Sequence, residues 1–448
     1  MLNLDQEVEL EIRDLSSQGE GVGSFEGITV FVEGALVGEK VVATIILIKK
    51  QYAKALLLRI ITPSSQRIKP ICPIFDRCGG CQIMHLSYEG QLDIKERRVR
   101  GAFERIGGFS GVLVEKIIPS PRDLHYRNKI TLPVVWQGGG KVIGLYAKGS
   151  HDVVPVSHCY IHLKEGEKIF SFLKQKLSKA SGITAFDQKN RLGYLKHIAI
   201  RTAEHSGESL VIFLTTGKVS EALTDFAKSL MESNRSIVGV LQGILPKDRN
   251  TVFADHYHTM VGRGYLEESF AGYAITIRGA SFFQVNSLQA ESLYSTAIEQ
   301  ANLNENDIVL DAYSGIGILT MMMARKARRV MGIEVAGSSI ADAKKNGTVN
   351  GVFNIDWFEG LTETLISKVP PYNKVLLNPP RGGCEPSVLE AITTSKAERI
   401  VYISCDPATL ARDAAYLKTL GWVLVKVLPF DMFPQTMHVE SIATFLRN

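Results

Sequence analysis

The last third of the chain constrains the fold most, because short apolar runs alternate there with segments of helical pattern. From about residue 271 onward the runs are DIVLD, RRVMGIE, KVLL, RIVYIS and WVLVKVLPF. Strands that alternate with helices predict a parallel, doubly wound α/β sheet. Ligands bind to such a sheet beyond the carboxyl ends of its strands. Functional residues are therefore expected where these runs end.

Composition limits the class of protein. The chain has 448 residues, of which 45% are hydrophobic and 22% are charged, as in ordinary globular proteins. No apolar stretch approaches the roughly 20 residues of a membrane-spanning helix, and the acidic, alternating N-terminus is unlike a signal peptide. We therefore expect a cytoplasmic protein with no membrane partner. The net charge of +5 permits a nucleic-acid partner without requiring one.

Residues 1–62 have the pattern of a small β-barrel. Val8, Leu10 and Ile12 alternate with charged residues, and glycine-rich turns separate further β-rich runs. Several short strands with such turns predict a barrel. The segments QGEGVG, VFVEG and GEKV resemble the TRAM domain, an OB-like module that binds RNA. The alternative is a generic barrel with no role in RNA binding.

A nucleotide-type cofactor is expected after the first strand of the C-terminal region. The glycines of DAYSGIG, Gly315 and Gly317, permit a tight turn and close backbone approach to a ligand. Glu334 ends the next strand, where its carboxylate can accept hydrogen bonds from ribose hydroxyls. Thr320 replaces the third glycine of a dinucleotide motif, which weakens a pyrophosphate-binding interpretation. S-adenosylmethionine, which has a ribose but no phosphate, fits better; a plain strand-to-helix turn is the alternative.

A nucleophile and a base are expected at two further strand ends. Cys405 ends an apolar strand and precedes a helix, whose dipole favours a thiolate. Glu440 precedes the final apolar strand, and Asn378 in NPPRGG can hydrogen-bond to the edge of a planar base. Methylating C5 of a pyrimidine requires a cysteine, a carboxylate and a methyl donor around one pocket. The alternatives are a core cysteine, a surface glutamate and Cys384 as a rival nucleophile.

Six motifs carry a resemblance to a known family. FFQVN, DAYSGIG, GIEV, NPPRGG, ISCDPATLARD and FPQTMHVE are similar, in order and spacing, to the RNA uracil-C5 methyltransferases. The resemblance implies that Cys405 is the nucleophile and Glu440 the general base. It implies cofactor-binding roles for Gln284, Tyr313, Gly315, Gly317, Glu334 and Asn378.

Asn378 is a departure from the family, which usually has Asp at this position. An amide keeps the hydrogen-bonding capacity of the carboxylate but loses its charge. Our hypothesis is that Asn378 is tolerated. The alternative is a catalytically silent RNA-binding protein that retains the fold.

A cysteine cluster lies in the middle of the chain. Cys72, Cys78 and Cys81 have the spacing C-x5-C-x2-C, and Cys159 follows 77 residues later. Four thiolates suit either an iron–sulfur cluster or zinc, and nearby histidines keep a mixed zinc site open. The resembling subgroup uses the same CxxxxxCGGC pattern and a distant cysteine to hold a [4Fe–4S] cluster. The resemblance therefore implies [4Fe–4S], with zinc and free thiols as alternatives.

RNA contacts are expected near the target base, which must leave its stack before reaction. Arg127, Asn128 and Lys129 in HYRNKI match a family motif near that base, although a solvated strand start is the alternative. Phe282 and Phe283 precede Gln284, and one of them, with Phe283 as the candidate, could stack on a base, although a buried core ring is the commoner outcome. The basic run over residues 95–105 is expected either to touch phosphates or to form a solvated helix face.

We predict a multidomain chain with three parts. They are an N-terminal OB-like β-barrel (1–62), a mixed α/β central domain with the cysteine cluster (63–270) and a C-terminal Rossmann-like α/β methyltransferase domain (271–448). The expected reaction is methyl transfer from S-adenosylmethionine to C5 of a uridine in 23S rRNA, because the resembling subgroup has both the barrel and the cluster. The same chemistry on tRNA is the alternative.

Overall fold

The N-terminal part is an all-β unit, as its alternating pattern predicts. The computed structural model describes residues 2–247, 252, 254 and 256–448. Six strands form one sheet in the order β1-β5-β6-β4-β3-β2 around a core of aliphatic side chains. The strands are β1 (Glu7–Glu11), β2 (Asp14–Leu15), β3 (Gly21–Phe25), β4 (Ile28–Glu33), β5 (Lys40–Ile48) and β6 (Tyr52–Thr62).

The central part combines a long helix with a seven-stranded sheet. The helix α1 precedes the sheet, whose strand order is β13-β12-β11-β10-β7-β8-β9. Gly138 and Gly139 have positive φ in the tight turn between β7 and β8. The elements are α1 (Tyr88–Arg105), β7 (Lys129–Gln137), β8 (Gly140–Tyr146), β9 (Val153–Pro155), α2 (Lys164–Lys179), β10 (Leu195–Thr202), β11 (Ser209–Thr215), α3 (Glu221–Ser233), β12 (Ile237–Ile244) and β13 (Tyr257–Gly262).

The C-terminal part is the predicted α/β sheet, in the order β18-β17-β16-β19-β20-β22-β21. The first five of these strands are parallel, but β22 runs antiparallel to both β20 and β21. The expected parallel sheet therefore contains one reversed strand, β22, whereas β21 runs in the same direction as the first five. The elements are α4 (Ser287–Ala301), β16 (Ile308–Asp311), α5 (Ile318–Ala324), β17 (Arg329–Glu334), α6 (Gly337–Val349), β18 (Ile355–Glu359), α7 (Thr362–Leu365), β19 (Lys374–Leu377), α8 (Pro386–Thr394), β20 (Arg399–Ser404), α9 (Pro407–Thr419), β21 (Trp422–Phe430) and β22 (Glu440–Arg447).

A separate hairpin joins the central and C-terminal parts. Its strands are β14 (Tyr265–Phe270) and β15 (Tyr273–Arg278), so the predicted boundary at 270/271 falls in its turn. Phe270 packs against Phe283 and Tyr294, and one continuous core extends from this hairpin into the C-terminal sheet. The hairpin therefore packs as part of the C-terminal core. In the described part of the chain, no helix is both long and apolar enough to cross a membrane.

Candidate active site

Strand pairing brings the predicted nucleophile and base together. In the antiparallel pair β20–β22, Ser404 lies opposite Ser441, so the next position along the ladder sets Cys405 beside Glu440. Cys405 is half-buried at the carboxyl end of β20, whereas Glu440 is only 4% exposed at the start of β22. The antiparallel turn of the last strand, which the sequence pattern did not predict, creates this pair.

Burial sets the protonation of both groups. It raises the pKa of Cys405 to about 11, an effect that the charge of Glu440 increases and that of Arg381 opposes. Burial also raises the pKa of Glu440 to about 7, again opposed by Arg381. Burial therefore opposes the thiolate that the dipole of the following helix is expected to favour. Asp406 caps α9 by accepting a hydrogen bond from the N–H of Ala408 at 2.8 Å, and its charge also raises the thiol pKa.

Cys384, the rival nucleophile, has a different environment. It is 4% exposed, and its N–H donates to Asp413 Oδ2 at 2.9 Å. The hydroxyl of Tyr313 donates to its sulfur at 3.7 Å, and burial raises the pKa of the thiol to about 12. Cys384 therefore packs beneath the NPPRGG loop, and the geometry favours Cys405.

The glycine loop and Glu334 form one structure at the sheet edge. The N–H of Gly315 donates to Glu334 Oε2 at 3.0 Å, and the N–H of Ala336 donates to Oε1 at 2.8 Å. Gly315 and Gly317 have φ of 54° and 83°, and a Cβ on Gly317 would lie 2.6 Å from the ring of Trp357. Glycine is thus required for this close turn. The carboxylate of Glu334 is fixed where the second strand ends.

Thr320, which breaks the dinucleotide motif, has a local role. Its hydroxyl donates to Asp311 Oδ2 at 2.6 Å, and both side chains are buried. Burial raises the pKa of Asp311 to about 6, while the bond from Thr320 opposes that rise. A third glycine would remove this donor from the base of the cofactor loop.

Gln284 and Asn378 differ in solvent exposure and in hydrogen bonding. Gln284 is 7% exposed, and its side chain hydrogen-bonds to Tyr294 on α4, a residue that the sequence analysis missed. The charge of Glu440 raises the pKa of the same tyrosine, so Tyr294 lies near both Gln284 and Glu440. Asn378 is half-buried directly after β19, and no hydrogen bond joins its side chain to another described residue. Its amide is thus available to a ligand.

Two of the predicted RNA-binding residues are corrected by their burial. Asn128 is 2% exposed, and its amide donates to Gln284 O at 2.8 Å and to Ser287 Oγ at 2.9 Å. Phe283 is 7% exposed and packs edge-on against a core ring. Neither side chain faces solvent, because both hold the FFQVN segment in place. Phe282, by contrast, is 71% exposed and is the ring available for stacking.

Cations from three parts of the chain gather around His438. Burial lowers the pKa of His438, and the charges of Arg381, Arg98, Lys95 and Arg127 lower it further. Lys129 lies beside Arg127 and Arg201, and burial with these two charges lowers its pKa to about 8. Arg381 and His438 were not predicted, although both lie inside motifs that the sequence displays.

The four predicted cluster cysteines face one region. Burial raises the pKa of Cys81, and the charges of Cys159, Cys78 and Cys72 raise it further, so the four thiols lie close enough to interact. None of the four forms a disulfide bond. Cys72, Cys81 and Cys159 border a small apolar cluster that includes Phe75.

No single-ion site is formed by these cysteines. Within the described ranges, no group of three or more His, Cys, Asp or Glu side chains is arranged to hold a metal ion. Glu167 accepts from His162 Nδ1 at 2.8 Å and from His158 Nδ1 at 2.9 Å, so a carboxylate already engages both of these histidines. The [4Fe–4S] cluster, with zinc as the alternative, therefore stays a prediction.

Comparison with known proteins decides the family. The family model for tRNA (uracil-5-)-methyltransferase matches residues 260–448, which contain Cys405, Glu440 and every predicted cofactor-binding residue. A Clostridium tetani protein described as an uncharacterized RNA methyltransferase is 38% identical, over 97% of this chain and 95% of its own. The chain belongs to the tRNA (uracil-5-)-methyltransferase family. It is an S-adenosylmethionine-dependent RNA methyltransferase, as the resemblance implied.

Other matches extend over the whole chain of this methyltransferase. The TRAM-domain model matches residues 4–58, which confirms the prediction for the barrel. An uncharacterized RNA methyltransferase of Caldanaerobacter subterraneus subsp. tengcongensis is 37% identical over 99% of this chain and 98% of its own. The solved tRNA (uracil-54, C5)-methyltransferase of Pyrococcus abyssi, in complex with S-adenosyl-L-homocysteine, has a TM-score of 0.77 at 24% identity. It covers 98% of this chain and 99% of its own, a likeness that shows the fold.

Proposed function

We propose that this methyltransferase acts on C5 of a uridine, with 23S rRNA in the cytoplasm as its substrate. The observation that carries the proposal is the Cys405–Glu440 pair, which lies at the same edge of the sheet as the glycine loop. A cysteine as nucleophile and a carboxylate of raised pKa as base are what C5 methylation requires.

The residues divide the reaction into three steps. Cys405, as thiolate, bonds to C6, and the electrons of the C5–C6 double bond move onto C5 and the adjoining carbonyl. C5 then bonds to the methyl carbon as that carbon leaves the sulfonium. Glu440 removes the proton from C5, the double bond re-forms and the C6–sulfur bond breaks. With a pKa of about 7, Glu440 is half-ionised near neutral pH and can both accept and release that proton.

Arg381 supports both groups electrostatically. Its charge lowers the pKa of Cys405 and of Glu440, in each case against the effect of burial. Arg381 is exposed in the loop after β19, so a bound nucleotide would reach it directly. We assign it the role of favouring the ionised thiol and carboxylate when the pocket closes around the base.

The cofactor would lie at the ends of β16 and β17. Glu334, held by the N–H groups of Gly315 and Ala336, is placed to receive the ribose hydroxyls. Gln284 would be oriented by Tyr294, and Tyr313 and Asn378 would complete the binding site. When bound, S-adenosylmethionine supplies the methyl group as a sulfonium.

The four cysteines suit a [4Fe–4S] cluster by donor type and mutual proximity. Cys72, Cys78, Cys81 and Cys159 would hold it. Its role would be structural, since this methylation transfers no electron between centres. The N–H groups of Gln82 and Ile83, which follow Cys81, both donate to the carbonyl of Gln435 at 3.0 and 3.1 Å. The cysteine segment thereby supports the loop that leads to Glu440.

The choice of RNA has two candidates. The resemblance to the subgroup with the cysteine cluster favours 23S rRNA. One observation favours tRNA: the Pyrococcus abyssi tRNA enzyme matches 98% of this chain, including the barrel, so the barrel does not separate the two classes. The cysteine cluster is then the feature on which the preference for rRNA depends.

The test is methyl transfer from labelled S-adenosylmethionine to unmodified 23S rRNA and to unmodified tRNA in separate reactions. Digestion and nucleoside analysis should give label in 5-methyluridine from the rRNA. Label in 5-methyluridine from tRNA alone would replace the substrate but keep the chemistry. Absence of label from both, with intact cofactor binding and with no rescue by Asn378→Asp, would overturn the proposal.

A further inference from the structure

An open cleft lies between the barrel, α1 and the start of α9. It has a volume of about 300 Å³ and is lined by Ser16 and Ser17 of the barrel, by Arg98, Gly101 and Arg105 of α1, and by Pro407 of α9. None of its lining residues is acidic. Pro407, on the wall of the cleft, lies two residues after Cys405 in the chain.

The two arginines of the cleft form no salt bridge within the described part of the chain. Among the described residues, no acidic group lies within salt-bridge distance of Arg98 or Arg105. Arg98 donates to the carbonyl of Met437 at 2.6 Å, and burial lowers its pKa while the charge of Asp406 opposes that effect. A half-buried guanidinium without an ionic partner is a site for an anion.

A buried glycine makes room for the second arginine. Gly101 lies inside the 18-residue helix α1, where glycine destabilises a helix relative to alanine. A Cβ at this position would lie 2.7 Å from Arg105 Nη2 and 2.8 Å from Nη1. A side chain at this position would therefore make the guanidinium of Arg105, the end of an exposed side chain, move from its place across the helix. This is a positional reason for an otherwise unfavourable residue.

We propose that this cleft binds a backbone phosphate of the substrate RNA, next to the nucleotide that enters the active site. The inference rests on the proposed function. Guanidinium groups and hydroxyls are the usual partners of phosphate oxygens. The cleft also continues the cationic surface around His438, because Arg98 belongs to both. One side of the RNA would thus contact the barrel and α1 while its target base reaches Cys405.

The test measures the affinity for an in vitro transcript of 23S rRNA at several salt concentrations. Arg105→Gln should weaken binding and reduce the slope of log affinity against log salt by about one. Arg97→Gln is the matched control, since Arg97 is exposed on the same helix and lies outside the cleft. Its slope should equal that of the wild type. Equal effects of the two variants, or no effect of Arg105→Gln, would overturn the inference.

Gly101→Ala provides a second, independent variant. It should raise the thermal midpoint of unfolding, because alanine favours the helix, and yet weaken RNA binding as Arg105→Gln does, because the guanidinium is displaced. A stabilised variant with wild-type affinity and salt slope would contradict the proposed site. These experiments measure RNA affinity and thermal stability rather than methyl transfer. Their failure can therefore be distinguished from a failure of the proposed function.

Discussion

At the scale of single residues, Glu440, the proposed base, is a buried carboxylate that forms no ion pair with any residue in the described part of the chain. Its pKa rises from an ordinary value near 4.5 to about 7 through burial, and Arg381 opposes only part of that rise. A base for the C5 proton needs a pKa near the working pH. Because burial disfavours the ionised carboxylate, its ionisation lowers the free energy of unfolding.

This effect gives a prediction for pH. Between about pH 4.5 and 7 the unfolded chain loses the proton of Glu440 while the folded chain keeps it, so rising pH destabilises the fold. Above this window the loss amounts to about 3 kcal/mol. Glu440→Gln should abolish it. Urea unfolding at pH 4.5 and 8 should therefore show a gain for the variant, relative to the wild type, only at pH 8.

The exposed Glu7→Gln is the control for the same charge change, and it should shift the free energy of unfolding equally at both pH values. A gain for Glu440→Gln of the same size at pH 4.5 would mean that the protonated carboxyl, rather than its ionisation, is destabilising. That result would contradict the raised pKa.

At the scale of elements, α1 shows that a basic sequence pattern does not determine which of its charged side chains are buried. The basic run from Lys95 to Arg105 predicts one cationic face, but Lys95 is fully buried and ion-paired with Asp431 at 2.6 Å. Lys95 also donates to Phe433 O at 3.0 Å. The helix thus holds the segment that leads to Glu440 as well as presenting arginines to solvent.

The buried pair predicts a large effect on stability. Lys95→Met should lower the free energy of unfolding by about 3–5 kcal/mol, because Asp431 would remain as an uncompensated buried charge. Lys95→Met combined with Asp431→Leu should recover much of the loss. Arg97→Met, at the exposed neighbouring position, should change stability by less than about 0.5 kcal/mol. If Lys95→Met matched Arg97→Met in chemical denaturation, the pair would not be buried and dry.

The strand ends were predictable from the sequence, while the pairing between elements was only partly so. Apolar runs followed by polar residues marked Cys405, Glu334 and Asn378, since a buried strand must be apolar and a ligand needs polar groups. The direction of the last strand was not marked, and that direction creates the Cys405–Glu440 pair. Phe282 and Phe283 are adjacent residues of the same type, and only the packing of the folded chain exposes the first and buries the second.

At the scale of the whole molecule, the three parts meet around the segment that precedes Glu440. One apolar cluster joins the barrel, the cysteine segment, α1 and Met437 of the FPQTMHVE motif. Gln435 has a positive φ of 70°, and its carbonyl accepts from two residues of the cysteine segment. Loss of order in the cysteine segment should therefore also disturb the position of Glu440.

The proposed cluster makes this connection testable. Anaerobically purified wild type should contain about four irons per chain, with visible absorbance that Cys81→Ser removes. Cys384→Ser, a buried cysteine outside the cluster, should keep both. Cys81→Ser should also lower the rate of methyl transfer at saturating RNA. Wild-type protein free of iron, yet folded and fully active, would contradict the proposed cluster and its structural role.

The most direct test of the central claim, that Cys405 attacks C6 with Glu440 beside it, is a covalent trap. RNA containing 5-fluorouridine has no C5 proton for Glu440 to remove, so the enzyme should remain bonded to it when S-adenosylmethionine is present. Denaturing electrophoresis should show this complex for the wild type and for Cys384→Ala, and not for Cys405→Ala. A complex that persists in Cys405→Ala, or that disappears in Cys384→Ala instead, would contradict the assignment of the nucleophile.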